Sequence, residues 1–138
     1  MGVVRSCRCI RWPNLTTPTL TLPLTGGGNL FSIFSKHPML KHIVMWKLKD
    51  QAEGADKATN AAKMKELLDA CSGIVPGILK FEVALARPDL EATYDVVLYS
   101  EFTSKAALDA YQEHPQHVAL KPFIGAIREA RQCMDYEI

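Results

Sequence analysis

The strongest constraint on the fold comes from four segments that are predicted to be β-strands, at residues 40–49, 77–86, 94–102 and 128–138. Apolar and polar residues alternate in the first two, and the third is rich in aromatic and β-branched residues. Alternation with a period of two is typical of a β-strand, because successive side chains point to opposite faces of a sheet. In the first segment, LKHIVMWKLK, one face carries Leu, His, Val, Trp and Leu, and the other mixes Lys with Ile and Met. This segment predicts a strand with one apolar face and one mixed face.

A helical pattern follows the first strand. The stretch DKATNAAKMKELLDACSG places apolar residues three and four positions apart, which is the spacing of one helix face. Asp56 is placed to cap the start of this helix and Gly73 to end it. The residues of the apolar stripe are Ala61, Met64, Leu68 and Cys71.

A second helical region follows the third strand. Thr103 or Ser104 is placed to cap the segment SKAALDAYQEH, and Pro115 interrupts the pattern after it. The segment QHVALKPFIGAI predicts another helical piece that is kinked or ended near Pro122.

The order of elements is therefore β-α-β-β-α-β. This order predicts an α+β, ferredoxin-like fold with a four-stranded antiparallel sheet and helices on one face. Its other face would be left uncovered, and Ile43 and Met45 of the first strand lie there. Because an apolar sheet face is usually buried against something, we expect a homodimer with the sheets face to face.

The first 38 residues differ from the rest of the chain. The first acidic residue is Asp50, and the leader is rich in Thr and Pro without helical periodicity, so we expect it to be disordered. It resembles an organelle transit peptide, and MGVVRS also fits a myristoylation signal with Cys7 and Cys9 nearby. The third interpretation, which we favour, is that Met39 is the natural start of a domain spanning residues 39–138.

Composition excludes several classes of function. The chain has 138 residues, 48% hydrophobic and 22% charged, with a net charge of +1 and no long apolar run. We therefore predict one globular domain that binds neither nucleic acid nor membrane. Cys71 falls in a helical pattern and Cys133 in a strand pattern, so we predict small core residues with reduced thiols, and a cytoplasmic location. Cys7 and Cys9 have no companion pair at the spacing of a zinc finger. No nucleotide-binding motif occurs, and we predict no cofactor.

Four blocks of residues point to a family. They are HIVMWKLK, YDVVLYSEFTS, ALDAYQEHPQH and MDYE, in this order. They resemble the stress-responsive A/B barrel (Dabb) family over residues 39–138. The resemblance implies a dimeric α+β barrel built from two ferredoxin-like protomers.

The resemblance also implies candidate site residues. One branch of the family includes a plant polyketide cyclase, olivetolic acid cyclase, which performs an intramolecular aldol condensation. Its cavity residues correspond to His42, Tyr111 and His117 here, and an aspartate of its last strand corresponds to Asp135. Its histidine on the third strand has no counterpart, because Asp95 and two valines occupy that region.

The chemistry of these residues is consistent with acid–base work. A histidine titrates near neutral pH, so His117 is our candidate for a general base, and a Tyr111 hydroxyl could donate to a forming enolate. His42 puts a polar group on an apolar strand face, where Asp135 could orient its ring. Each residue also has a structural interpretation: His42 and Tyr111 as core, and His114 as a helix-end residue. The remaining candidates for contact with a ligand are Val44, Trp46, Phe123 and His114.

A metal site is not predicted. His114 and His117 form an HxxH pair across Pro115, which is not the i, i+4 spacing of a helical zinc pair. Two functions remain open. The first is a homodimer that binds a small apolar or aromatic molecule in a mostly apolar cavity within each protomer. The second is a cofactor-independent enzyme, of polyketide cyclase or monooxygenase type, with His117 and Tyr111 as its acid–base pair.

Overall fold

The structure is a computed structural model and describes residues 38–138. The predictions for the leader and for its cysteines lie outside the described residues. Among the described residues, no helix has the length and apolar character needed to cross a membrane.

The described chain forms the predicted ferredoxin-like fold. One sheet has four strands in the order β4-β5-β1-β6, and all neighbours in it are antiparallel. A two-stranded hairpin, β2 with β3, precedes the first helix. The elements are β1 Leu40–Leu48, β2 Gln51–Ala52, β3 Ala55–Asp56, α1 Lys57–Asp69, β4 Ile78–Leu85, β5 Val96–Phe102, α2 Lys105–Glu113, α3 Pro115–Ile127 and β6 Arg128–Glu137.

Burial along β1 follows the predicted alternation. Every second residue from Leu40 to Leu48 is buried, and those between are half-buried or exposed. The buried side packs with α1, α2 and α3 into one hydrophobic core. Burying a large aliphatic side chain contributes about 1.5–3 kcal/mol relative to leaving it exposed, so this face fixes the register of the sheet.

The starts of the helices follow local chemistry. The Asp56 carboxylate accepts from the backbone N–H of Thr59 at 2.8 Å, as predicted. Of the two candidates for the next cap, Ser104 is the one used, and its Oγ accepts from the N–H of Ala107 at 3.2 Å. Each cap satisfies a donor that the first helical turn leaves unpaired.

The segment between β1 and α1 forms a tight hairpin, β2 with β3. Glu53 and Gly54 form its turn, with φ of 50° and 73°, the left-handed pair that a two-residue hairpin requires. The buried Asn60 of α1 donates from Nδ2 to the carbonyl of Ala52 at 2.9 Å and also to that of Ala55. This amide joins the hairpin to the helix, a tertiary contact that the local sequence does not reveal.

The two prolines of the second helical region behave differently. Before Pro115, His114 has extended geometry with ψ of 133°, so α2 ends and α3 begins there as predicted. Pro122 was predicted to kink the helix or to end it, and it does not end it, because α3 continues to Ile127. A proline removes only one backbone hydrogen bond, and the burial of Leu120, Ile124 and Ile127 holds the helix together across it.

The side of the sheet away from the helices is called the open face. It carries Ile43 and Met45 of β1, Val97 of β5, and Met134 of β6, which is 64% exposed. Near Met45 and Val97, the chain between β4 and β5 bounds a recess of about 380 Å³. The chain therefore presents an uncovered apolar surface in the middle of its sheet.

Two cysteines lie within the described residues, and both are free thiols. Cys71 is buried, and its Sγ lies 3.6 Å from the carbonyl oxygen of Leu67. The prediction of a core position was wrong for Cys133, which is exposed. It lies on the edge strand β6, opposite Val44, where the helices do not cover the sheet.

Candidate functional site

A cavity of about 280 Å³ lies between the sheet and the three helices. Its floor is buried, with a polar group contributed by His42 among apolar side chains. Its rim is polar and more exposed. The floor residues are His42, Val44, Trp46, Leu68, Leu98 and Ile124, and the rim residues are Gln112, His117, Lys121, Arg128 and Arg131.

His42 is held on the cavity floor from two neighbouring strands. The register places it opposite Asp135 of β6 and Ser100 of β5. Its Nδ1 lies 2.5 Å from Asp135 Oδ1, and Ser100 Oγ donates to its backbone carbonyl at 3.1 Å. Because a carboxylate accepts, Nδ1 donates to Asp135, and Nε2 takes no part in this hydrogen bond. The structure thus pairs the two residues that the sequence analysis proposed as ring and orienting carboxylate.

His117 lies on the rim and is held by a backbone carbonyl. Its Nδ1 donates to the carbonyl oxygen of Gln112 at 3.0 Å, which leaves Nε2 unprotonated. Burial lowers the pKa of His117 below its usual value, and the nearby charge of Lys121 acts in the same direction. The bond to Gln112 opposes this change in pKa, but burial is the larger effect. At neutral pH the ring is therefore uncharged and able to accept a proton.

Two imidazoles thus line one small cavity, each with its Nδ1 occupied. Such rings can accept a proton from a bound molecule or donate a hydrogen bond to it after protonation. The Asp135 carboxylate holds the His42 ring in one orientation. This arrangement can support acid–base chemistry without a metal or cofactor.

Tyr111 lies beside the cavity and is not part of its wall. The side chain is fully buried, with ring centroids 4.5 Å from His117, 5.5 Å from Phe102 and 5.8 Å from Phe81. Its hydroxyl has no hydrogen-bond partner among the described residues. Burial raises the pKa of the phenol well above its usual value, so it does not ionise at neutral pH. The position of Tyr111 fits the core interpretation better than the proposed role as a donor to substrate.

We expect Tyr111→Phe to stabilise the protein. A buried hydroxyl without a partner costs about 1 kcal/mol or more, and the variant keeps the aromatic contacts. The melting temperature should rise by about 4 °C for a domain of this size. Tyr99→Phe is the matched control, because the Tyr99 hydroxyl donates to Glu101 and its loss should not stabilise. A lower melting temperature for Tyr111→Phe would show that the hydroxyl is bonded in solution.

Phe123 and His114 are placed away from the cavity wall. The Phe123 ring lies under Lys63, with Nζ 4.6 Å from its centroid, and packs at the margin of the core. The His114 ring accepts from the backbone N–H of Gln116 at 3.2 Å and so caps α3. The structure therefore agrees with the interpretation of His114 as a helix-end residue. Neither His114 nor Phe123 lines the cavity, where contact with a ligand was proposed.

Val44 and Trp46, which were predicted to contact a ligand, lie on the cavity floor. Trp46 is 5% exposed, and its indole N–H has no partner among the described residues. Asp95 lies in the region where olivetolic acid cyclase has its third-strand histidine, and here its side chain makes a hydrogen bond to the backbone. Its carboxylate accepts from the backbone N–H of Leu48 at 2.7 Å and so ties the end of β1 to β5.

Four polar residues of the cavity rim were not predicted from the sequence: Gln112, Lys121, Arg128 and Arg131. Lys121 could have been found, because it lies one helical turn after His117 and therefore on the same face of α3. Arg131 lies opposite Trp46 in the β1–β6 register, a relation that appears only once the strands are aligned. Gln112 and Arg128 lie at the ends of elements and carry no sequence signal.

The sequence profile of the family described as "Stress responsive A/B Barrel Domain" (Dabb) matches residues 40–138. The chain belongs to the Dabb family. The match spans the β-strands and helices that enclose the cavity, from β1 to β6. No curated protein matches the chain.

Solved structures agree with the Dabb assignment. A dimeric protein of unknown function with a ferredoxin-like fold, from Bacteroides fragilis, is 36% identical to this chain, with a TM-score of 0.63 over 72% of this chain and 96% of that one. A Dabb family protein with a ferredoxin-like fold, from Mesorhizobium loti, is 26% identical, with a TM-score of 0.52 over 72% and 95%. A hydroxynitrile lyase from Passiflora edulis shares the fold at 19% identity, with a TM-score of 0.59 over 74% and 94%.

Proposed function

We propose that this Dabb protein is a homodimer in which each protomer binds a small molecule between its sheet and its helices. The observation that carries the proposal is the cavity itself. Its floor holds Val44, Leu68, Leu98 and Ile124 around a single buried imidazole. A concave apolar floor with a few fixed polar groups is the usual form of a small-molecule site.

The dimer is supported by the open face and by relatives. Met45 occupies the centre of that face, between Val97 of β5 and Gln132 of β6 in the register. The Bacteroides fragilis protein, at 36% identity, is described as dimeric. Two copies of this chain joined through their open faces would bury these apolar side chains and leave both cavities on the helix side.

A second function is favoured by one contact, the pairing of His42 with Asp135. A histidine backed by a carboxylate is a common arrangement for proton transfer. The second candidate is therefore a cofactor-independent enzyme, of polyketide cyclase or monooxygenase type, acting by acid–base catalysis. We now assign the pair as His42 and His117, because the Tyr111 hydroxyl is enclosed in the core.

We expect a neutral aromatic probe, 2-naphthylmethanol, to bind in the cavity, as measured by calorimetry. Ile124→Phe should weaken this binding about tenfold or more, because the larger ring occupies the floor. Val118→Phe is the matched control, since Val118 lies on the same helix but is 44% exposed and outside the cavity. Equal affinity in both variants would place the binding site elsewhere, and no binding to the unmodified protein would contradict the proposal.

Native mass spectrometry of freshly purified protein separates the two candidates. A retained molecule that keeps its mass during incubation supports a binding protein. Conversion of that molecule on the unmodified protein, without an added cofactor, supports the enzyme.

A further inference from the structure

The rim of the cavity concentrates positive charge. Lys121, Arg128 and Arg131 all line it and all are exposed. They come from α3, the junction after it, and β6, so the fold brings together charges that are spread along the sequence. Within residues 38–138, no Asp or Glu lines the same cavity.

These three cations lack the partners that other cations of the domain have. Among the described residues none of the three forms a salt bridge, whereas seven other Lys and Arg side chains do. Lys121 makes a 3.4 Å contact with the carbonyl of Gln112, and Arg131 a 3.3 Å contact with the Cys133 thiol. Asp135, the carboxylate that follows on the same side of β6, is engaged by His42. The rim therefore carries positive charge that no described side chain neutralises.

The charge acts on the cavity. The positive charges of Lys121 and Arg131 both lower the pKa of His117 on the same rim. An anion at that place would feel the same charges as an attraction. Arginine presents parallel N–H donors that match the oxygens of a carboxylate or phosphate.

We propose that the ligand of this cavity carries an anionic oxygen group on an apolar or aromatic body. Lys121, Arg128 and Arg131 bind the anionic group at the rim, and the body packs on the floor beside His42. This inference rests on the proposed function and adds the chemical class of the ligand. It also orients the ligand, because the charged end stays at the rim and the uncharged end meets the His42–Asp135 pair.

The test compares probes of one shape and different charge. We expect 2-naphthoate to bind the unmodified protein about tenfold or more tightly than 2-naphthylmethanol, by calorimetry at low salt. The preference should shrink as the salt concentration rises, because exposed charges are screened. A third probe, 2-naphthyl phosphate, distinguishes the two anion types, and tighter binding of either anion supports the proposal.

Two variants locate the effect. Arg128→Gln/Arg131→Gln should weaken the binding of 2-naphthoate by a larger factor than the binding of 2-naphthylmethanol, and so remove most of the preference for the anion. Arg87→Gln is the matched control. Arg87 is exposed, forms a salt bridge with Asp89, and is not one of the residues that line the cavity. Melting temperature and light scattering confirm that fold and oligomeric state are kept.

The failures of the two proposals are distinguishable. Equal affinity for the charged and neutral probes would overturn the anionic ligand and leave the cavity as a binding site. A preference that survives in Arg128→Gln/Arg131→Gln and Lys121→Gln would overturn it as well. If neither probe bound, both proposals would be contradicted.

Discussion

We expect the Met45→Asp protein to sediment as a monomer at micromolar concentrations at which we expect the unmodified protein to be a dimer. Met45 lies at the centre of the open face, with Val97 and Gln132 beside it on the neighbouring strands. Face-to-face packing would bury the new carboxylate without a partner, which costs several kcal/mol. About 4 kcal/mol corresponds to roughly a thousandfold rise in the dimer dissociation constant.

The control for this experiment is the introduction of an aspartate on the helix side of the domain. Val118→Asp also places a carboxylate at an exposed apolar position, but on α3 and away from the open face. It should leave the protein dimeric by analytical ultracentrifugation and light scattering. Circular dichroism establishes that each variant is folded. A dimeric Met45→Asp protein, or a monomeric unmodified protein, would refute the open face as the dimer interface.

The second large effect is expected at Phe102. This fully buried side chain lies at the end of β5, with ring centroids 6.4 Å from His42 and 5.5 Å from Tyr111. Phe102→Ala should lower the free energy of unfolding by about 3–5 kcal/mol, because the core cannot close over the space left by the ring. For a domain of this size, the melting temperature should fall by roughly 15 °C or more.

Phe123→Ala is the control, because it makes the same substitution at a less buried phenylalanine. Phe123 is half-buried at the margin of the core, where its ring contacts Lys63. Its loss should cost about 1 kcal/mol, since part of the ring remains in water in the folded protein. Urea unfolding at one fixed protein concentration measures both variants, because the stability of a dimer would depend on protein concentration. Equal losses for the two phenylalanines would contradict the burial described for Phe102.

The arrangement of the strands was predictable because one face of each is strongly apolar. Apolar residues alternate in β1 and β5 and follow a helical spacing in α1. Few ways of packing these strands and helices bury all the apolar faces, and the order of the elements along the chain selects one of them. The β2–β3 hairpin escaped prediction because its turn uses Glu53, a residue that seldom adopts positive φ. The continuation of α3 past Pro122 depends on core packing, which no local pattern reports.

The residues of the candidate site that could be singled out from the sequence are those that break the pattern of their element. His42 is a polar residue on an apolar strand face, and Asp135 meets it because β6 pairs with β1. The rim cations broke no pattern, because exposed Lys and Arg occur everywhere on protein surfaces. Only their convergence around one cavity distinguishes them, and that convergence is a property of the folded chain.

The edge strand β6 belongs to two surfaces at once. Asp135 points to the helix side and holds the His42 ring, while Met134 and Tyr136, its neighbours in sequence, point to the open face. A second protomer packed on Met134 and Tyr136 would restrict the motion of β6, the strand that carries Asp135. Assembly and ligand affinity are then linked reciprocally, so a molecule that binds more tightly to the paired form must also strengthen the pairing.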